Sequence, residues 1–342
     1  MAFLEINKIN IDYVTEDGVV EAVNDIDLSL KEGESLGLVG ETGAGKTTLA
    51  KCIMRILPER TARINSGEIF YKGTDLLKLE PEKMREIRGS EIAMIFQDPM
   101  TALNPVLTVG EQIAEAVQNH QKVDDAEAMK KAEEMLELVG IPAARSSEYP
   151  HQFSGGMRQR VVIAIAVACN PEILICDEPT TALDVTIQAQ ILDLLRDLQK
   201  RYGLTVIYIT HDLGVVASVS DRIAVMYAGD IVEIGRSDEI FYDPRHPYTW
   251  ALLSSLPQLG ERGEDLFAIA GTPPNLFRPI KGDAFAPRNP YALKVDFQYR
   301  PPYFDVSPTH KARTWLLDPR APKVERPKNL DRIREMGGFI HE

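Results

Sequence analysis

The chain of 342 residues has little cysteine. Cys52, Cys169 and Cys176 stand far apart in apolar surroundings. That spacing excludes a disulfide framework or a cysteine metal motif and suits buried thiols in a reducing compartment. Long apolar runs are also missing. The longest, residues 161–169, falls well short of the ~20 residues that a membrane-spanning helix needs. The first residues lack the basic-then-apolar order of a secretory signal. Excess positive charge is absent: the net charge is −13, which weighs against a nucleic-acid surface. No internal repeat or low-complexity segment occurs. These absences leave a globular protein of the cytosol, or one held at a membrane by gripping another protein. The length allows two or three subdomains.

The stretch with most chemical content is Gly40-Glu41-Thr42-Gly43-Ala44-Gly45-Lys46-Thr47-Thr48, preceded by the apolar residues 35–39. It reads as a short strand, a glycine-rich turn and a helix over 46–57. Gly40, Gly45, Lys46 and Thr47 fit the spacing G-x-x-x-x-G-K-[ST] of a phosphate-binding loop. Successive backbone N–H groups in such a turn form an anion nest, and glycine permits close approach to phosphate. The helix start adds partial positive charge. Lys46 is placed to reach the β- and γ-phosphates and Thr47 to bind Mg²⁺.

Residues 3–31 alternate apolar and polar around a turn at 15–18, the pattern of antiparallel strands. Tyr13, just before that turn, is either a strand aromatic or a ring that stacks on a base. Residues 66–71 and 91–95 read as further strands, and Gln97 lies where the second one runs out. Residues 100–150 are mostly helical, with Thr108 and Glu111 as a capping box and an amphipathic helix over 124–139. Ser154 then caps a helix that begins Gly155-Gly156. Two glycines weaken a helix start, so a bare backbone there suggests a close neighbour. Residues 173–177 form a buried strand that feeds into Asp177-Glu178-Pro179. At the C-terminal end of a parallel strand, Asp177 can hold Mg²⁺ and Glu178 can polarise water; the alternative is a pair of solvated strand-end charges. A helix over 185–202 and a strand over 204–210 follow, with His211 at its end. Residues 222–235 read as a hairpin that turns at 228–230.

Together these motifs resemble an ATP-binding cassette ATPase over residues 3 to about 255. The resemblance implies an α/β fold of the P-loop NTPase type: a mixed core sheet, an antiparallel β subdomain, a helical insertion at about 100–165, and a small C-terminal module over 256–342. It implies Walker A at 40–47, a Q-loop at Gln97 and a signature at Phe153-Ser154-Gly155-Gly156-Met157, a variant of the usual Leu-Ser-Gly-Gly-Gln. Walker B falls at 173–177 with Glu178 after it, the D-loop at Ala182-Leu183-Asp184 and the switch histidine at His211. Glu178 and His211 would be catalytic. Residues 40–48, with Tyr13 at the adenine position, would bind ATP; Gln97, Gln152, Ser154, Gly155, Gly156 and Asp184 complete the nucleotide contacts. Thr47, Gln97 and Asp177 would hold Mg²⁺. In this family the signature helix serves the ATP of the opposite subunit, so two cassettes close head to tail.

The segment Asp243-Pro244-Arg245-His246-Pro247-Tyr248-Thr249 and the tail beyond it resemble oligopeptide, dipeptide and nickel importers. Many of these hold an iron–sulfur cluster on four cysteines, but here Asp283, Asn289, Asp296 and Thr314 stand in those places. Without thiolates no such cluster is expected. The module is expected to pack instead on Phe285, Tyr291, Phe297, Tyr299 and Trp315. The resemblance implies an ATPase that powers peptide import from the cytoplasmic face of the membrane. Its partners would be a second, different cassette, two permease subunits and an extracellular binding protein. The alternatives are a nickel or other small-solute importer, or a soluble cassette protein acting on ribosomes or DNA.

Overall fold

The computed structural model describes residues 2–181, 183–256, 269–277 and 279–335. Ala182 of the expected D-loop lies outside them. β1 (Leu4–Thr15) and β2 (Gly18–Leu30) form the antiparallel hairpin expected from the alternation. Three register shifts interrupt it, and Lys8 and Asp25, both with left-handed φ, mark two of them. The side chains of Asp27 and Asn10 accept the N–H groups of Lys8 and Asp25. With β4 (Ala62–Tyr71) and β5 (Thr74–Asp75) the hairpin makes a four-stranded sheet in the order β2-β1-β4-β5.

The second sheet carries the site. It comprises β3 (Ser35–Val39), β6 (Ile92–Ile95), β7 (Ile173–Asp177), β8 (Thr205–Thr210), β9 (Arg222–Tyr227), β10 (Asp230–Arg236), β11 (Phe304–Asp305) and β12 (Lys311–Ala312). The order is β11-β12-β10-β9-β3-β8-β7-β6, parallel from β9 to β6. β3, β7 and β8 are buried along their whole length, as suits a parallel sheet covered on both faces.

The helices are α1 (Lys46–Ile53), α2 (Pro81–Ser90), α3 (Pro99–Ala102), α4 (Val109–His120), α5 (Asp125–Leu138), α6 (Gly155–Val167), α7 (Val185–Tyr202), α8 (Leu213–Val219), α9 (Ser237–Tyr242), α10 (Pro247–Ser254) and α11 (Asp331–Glu335). α4 to α6 form the helical insertion, packed through Ile113, Val117, Ala132, Leu136 and Ala164. The capping box at Thr108 and Glu111 is present, and Asp124 caps α5. α1 stops at Ile53, earlier than the sequence suggests. Arg55 turns to left-handed φ, and its guanidinium donates to the carbonyls of Leu76 and Leu79. Among the described residues no helix is long and apolar enough to cross a membrane.

The C-terminal residues are built into this frame. β12 extends the large sheet beside β10. Phe285 packs against the rings of Tyr227 and Tyr248 at 5.3 and 5.2 Å. Phe297 and Tyr299, expected in the packing, are instead 58% and 63% exposed. The loop that bears them closes through backbone: Asp283 N–H donates to Asp296 O, and a Cβ at Gly282 would lie 1.9 Å from that same oxygen. Closure this tight leaves no room for rings inside.

Asp283, Asn289, Asp296 and Thr314 are all buried, and each accepts a nearby backbone N–H, from Phe285, Tyr291, Leu293 and Leu316 respectively. They hold turns. His310 lies apart from them, its Nε2 2.7 Å from Glu233 Oε1. Glu233 also accepts the N–H groups of Arg245 and His246, which compensates its burial.

Burial pushes the Asp283 carboxyl up to about 7; the Phe285 N–H opposes this, and Asp296 and Asp230 reinforce it. In the unfolded chain the group titrates near ~3.9. Its contribution to stability is therefore full below that value and lost as pH rises through about 7. Asp283→Asn should raise the melting temperature by a few degrees at pH 8 and by less at pH 5.5. An equal effect at both values, followed by calorimetry, would contradict this.

Candidate active site

Register brings the site together. Val39 pairs with Thr210, Asp177 with Ile209 and Ile95 with Cys176. The strands therefore end nearly level, and Gly40, His211, Glu178 and Gln97 leave from one edge. The loop after β3 is wedged against its neighbours. A Cβ at Gly40 would meet Met226 O at 2.0 Å, and one at Gly45, where φ is +100°, would meet Ala22 O at 2.4 Å. Only glycine fits either place. Gly45 caps α1 without a side-chain hydrogen bond, which leaves the first N–H groups of the helix free for an anion.

Lys46 is buried, and its Nζ donates to Gly40 O at 2.6 Å and Glu41 O at 3.0 Å. Burial lowers its pKa, against the pull of Glu178, Asp177 and Glu41. Thr47 Oγ1 donates to Asp177 Oδ1 at 3.0 Å. Burial raises the Asp177 carboxyl, a shift that the Thr47 hydroxyl and Lys46 resist.

Glu178 has left-handed φ, an uncommon state for a residue other than glycine, and its N–H is anchored on Ile209 O. Its Oε2 accepts from Gln97 Nε2 and Thr181 Oγ1, each at 2.8 Å. His211 Nδ1 lies 3.3 Å from Oε1. Burial alone would raise this carboxyl. Thr181, His211 and Lys46 together bring it below its ordinary value, so it stands ionised at neutral pH. Thr181 is a participant that sequence reasoning missed, although it sits three residues after the acid.

A cavity of about 370 Å³ opens here, lined by Tyr13, residues 42–48, Gln97, Glu178 and His211, with Val20, Ala22 and Leu276. Tyr13 OH lies 3.3 Å from Thr48 Oγ1, which holds the ring at the cavity wall. Most of the predicted site residues thus meet in one place. Gly40, Glu41 and Asp177 adjoin the lining residues without lining the cavity themselves, and Gln152, Ser154, Gly155, Gly156 and Asp184 do not line it either. Gln152, Ser154, Gly155 and Asp184 are exposed at the starts of α6 and α7. Gln152 accepts from Tyr149 N–H, Ser154 from Met157 N–H and Asp184 from Ile187 N–H. The close neighbour that Gly156 accommodates is internal: a Cβ there would lie 2.5 Å from Ile187 Cγ2. Gly155 is open, its nearest contact being Leu183 at 3.6 Å.

Residues 23–181 match the ABC transporter family. The chain belongs to that family. Residues 232–295 match a second family, the oligopeptide/dipeptide transporter C-terminal region. The cassette is 56% identical to the oligopeptide transport ATP-binding protein OppD of Bacillus subtilis, over 95% of this chain and 92% of the relative. It is 53% identical to the dipeptide transport ATP-binding protein DppD of Lactococcus lactis, over 96% and 94%. Among solved structures it resembles the dimeric post-hydrolysis state of the ATP-binding cassette MJ0796 bound to ADP and Pi. That likeness has a TM-score of 0.61 and 28% identity, and covers 68% of this chain and 98% of the other. The fold is thus that of an ABC ATPase, and ATP is its nucleotide.

The two signature glycines should respond differently to a methyl group. Gly156→Ala should destabilise by about 1–3 kcal/mol through the clash with Ile187. Gly155→Ala should be neutral or stabilising in a denaturant titration. Equal losses at both positions would refute the packing argument.

Proposed function

We propose that this cassette is the ATP-hydrolysing subunit of an importer of oligopeptides or dipeptides. The observation that carries the proposal is Glu178, held by Gln97, Thr181 and His211 beside a phosphate-binding loop, in a chain whose residues 232–295 match the oligopeptide/dipeptide transporter C-terminal region. We place the division between nucleotide-binding domain and C-terminal module near residue 255.

ATP sits with its phosphates on the N–H groups of residues 42–48 and on Lys46, and its base beside Tyr13. Thr47, Gln97 and Asp177 offer an all-oxygen set that suits Mg²⁺. When bound, the ion neutralises charge on the phosphates. Glu178 accepts a proton from a water whose oxygen attacks the γ-phosphorus; the bond to the β-phosphate oxygen breaks, releasing ADP and phosphate. His211 steadies Glu178 and contacts the γ-phosphate. Glu41 fixes the start of the loop. Gln152, Ser154, Gly155, Gly156 and Asp184 serve the nucleotide of a facing cassette, and the exposure of Gln152, Ser154, Gly155 and Asp184 supports this. That partner is a second, non-identical ATPase. Two permease subunits and an extracellular binding protein complete the system, and the cassette lies peripherally on the cytoplasmic face. The residues present supply no thiolates for an iron–sulfur cluster: Asp283, Asn289, Asp296 and Thr314 are committed to turns.

Glu178→Gln should retain ATP binding and lower kcat by at least about 100-fold. Cells carrying it should lose uptake of a labelled tripeptide while nickel uptake continues. Normal turnover would refute the catalytic assignment, and loss of nickel uptake alone would refute the cargo.

A further inference from the structure

We propose that the C-terminal module is a working part of the nucleotide site: Arg288 positions the phosphate-binding loop through Glu41, and Leu276 walls the base side beside Tyr13. The inference rests on the nucleotide site described above.

Arg288 lies 247 residues from Glu41 in sequence, yet its guanidinium meets that carboxylate with both forks, Nη1 to Oε2 at 2.7 Å and Nη2 to Oε1 at 3.1 Å. Its side chain is only 6% exposed. Its remaining donors are used as well, Nε on Ala270 O and Nη1 also on the Tyr227 hydroxyl. A buried guanidinium with such partners is a fixed point, and removing one member leaves the other charge uncompensated.

Glu41 is held on every side. Its N–H donates to Tyr248 OH at 2.8 Å. Its carbonyl accepts from Ala44 N–H and from the Lys46 ammonium. Lys46 is the charge that meets the phosphates, and both of its carbonyl rests adjoin these anchors: Gly40 O is in the peptide whose N–H Tyr248 holds, and Glu41 O belongs to the residue whose side chain Arg288 grips. Arg288 does not line the cavity, so it acts through Glu41 and Lys46. Displacement of a bound phosphate chain by a fraction of an ångström is costly.

Leu276 makes the second contact. β2 is the edge strand of its sheet, and Glu21 N–H in it donates to Leu276 O at 3.2 Å. That bond holds Leu276 in the cavity wall with Tyr13 and Val20. An aliphatic side chain beside an aromatic ring makes a slot suited to a flat base.

Calorimetric titration of the full chain with ATP and with tripolyphosphate, which lacks the base, separates the two contacts. Arg288→Met should weaken both ligands equally, by about tenfold or more, and Arg288→Lys should recover part of the loss. Tyr248→Phe keeps the buried ring and should shift both ligands in the same direction, which tests the linkage even if Arg288→Met folds poorly. Leu276→Ser should weaken ATP several-fold and leave tripolyphosphate unchanged. Lys46→Ala is the control and should abolish tripolyphosphate binding. If that control fails, the site itself is misassigned. If the control holds but Arg288→Met and Tyr248→Phe change neither ligand, or Leu276→Ser leaves ATP unaltered, the inference is overturned.

Discussion

Val39, Thr210, Asp177 and Ile95 lie near the ends of four neighbouring parallel strands, held level by the register of the ladder. The chemistry depends on that alignment. A phosphate-binding loop, a carboxylate pair, a histidine and a glutamine each leave from one of these strands. Parallel pairing needs both sheet faces covered, so the strands are apolar until their last residues. The change from Ile175-Cys176 to Asp177-Glu178 is where the sheet stops and the site begins. Level ends also explain how one carboxylate, Glu178, meets Gln97 and His211 from neighbouring strand ends, while Thr181 joins it from its own loop.

A second set of constraints ties the tail to this frame, and charge carries it. Glu233 in β10 accepts the N–H groups of Arg245 and His246 and faces His310. Arg288 grips Glu41. Burial drives the pKa of His246 down to about 3, so its neutral ring accepts Tyr248 N–H and caps α10. That places Tyr248, whose hydroxyl meets the phosphate-binding loop. Polar groups buried in this way are costly unless fully paired, so such pairs specify one docking position for the tail.

The sequence shows those parts of the site whose chemistry is local. Glycines at Gly40 and Gly45, a lysine and threonine after them, and an apolar strand running into two acids all state their roles within a few residues. The antiparallel hairpin and the capping box at Thr108 are legible for the same reason. Contacts between distant residues are not. Nothing near Arg288 announces Glu41, and nothing near Leu276 announces Tyr13. The exposure of Phe297 and Tyr299 is not legible either, because loop closure by backbone, through Gly282 and Asp296, has no apolar signature. The glycine pair at 155–156 was half legible: its need for space shows in the residues, but the neighbour, Ile187, does not.

The cassette carries its phosphate-binding loop and Glu178 at one cavity and exposes Gln152, Ser154, Gly155 and Asp184 at the starts of α6 and α7; under the proposed function these are the two halves of an ATP site. The most direct test is to purify the Glu178→Gln variant from detergent-solubilised membranes with ATP and Mg²⁺ and to identify what accompanies it by mass spectrometry. The proposed function predicts two polytopic membrane proteins and a second, non-identical cassette, all dependent on ATP. Ribosomal or DNA-repair proteins in their place, with no membrane partner, would contradict it.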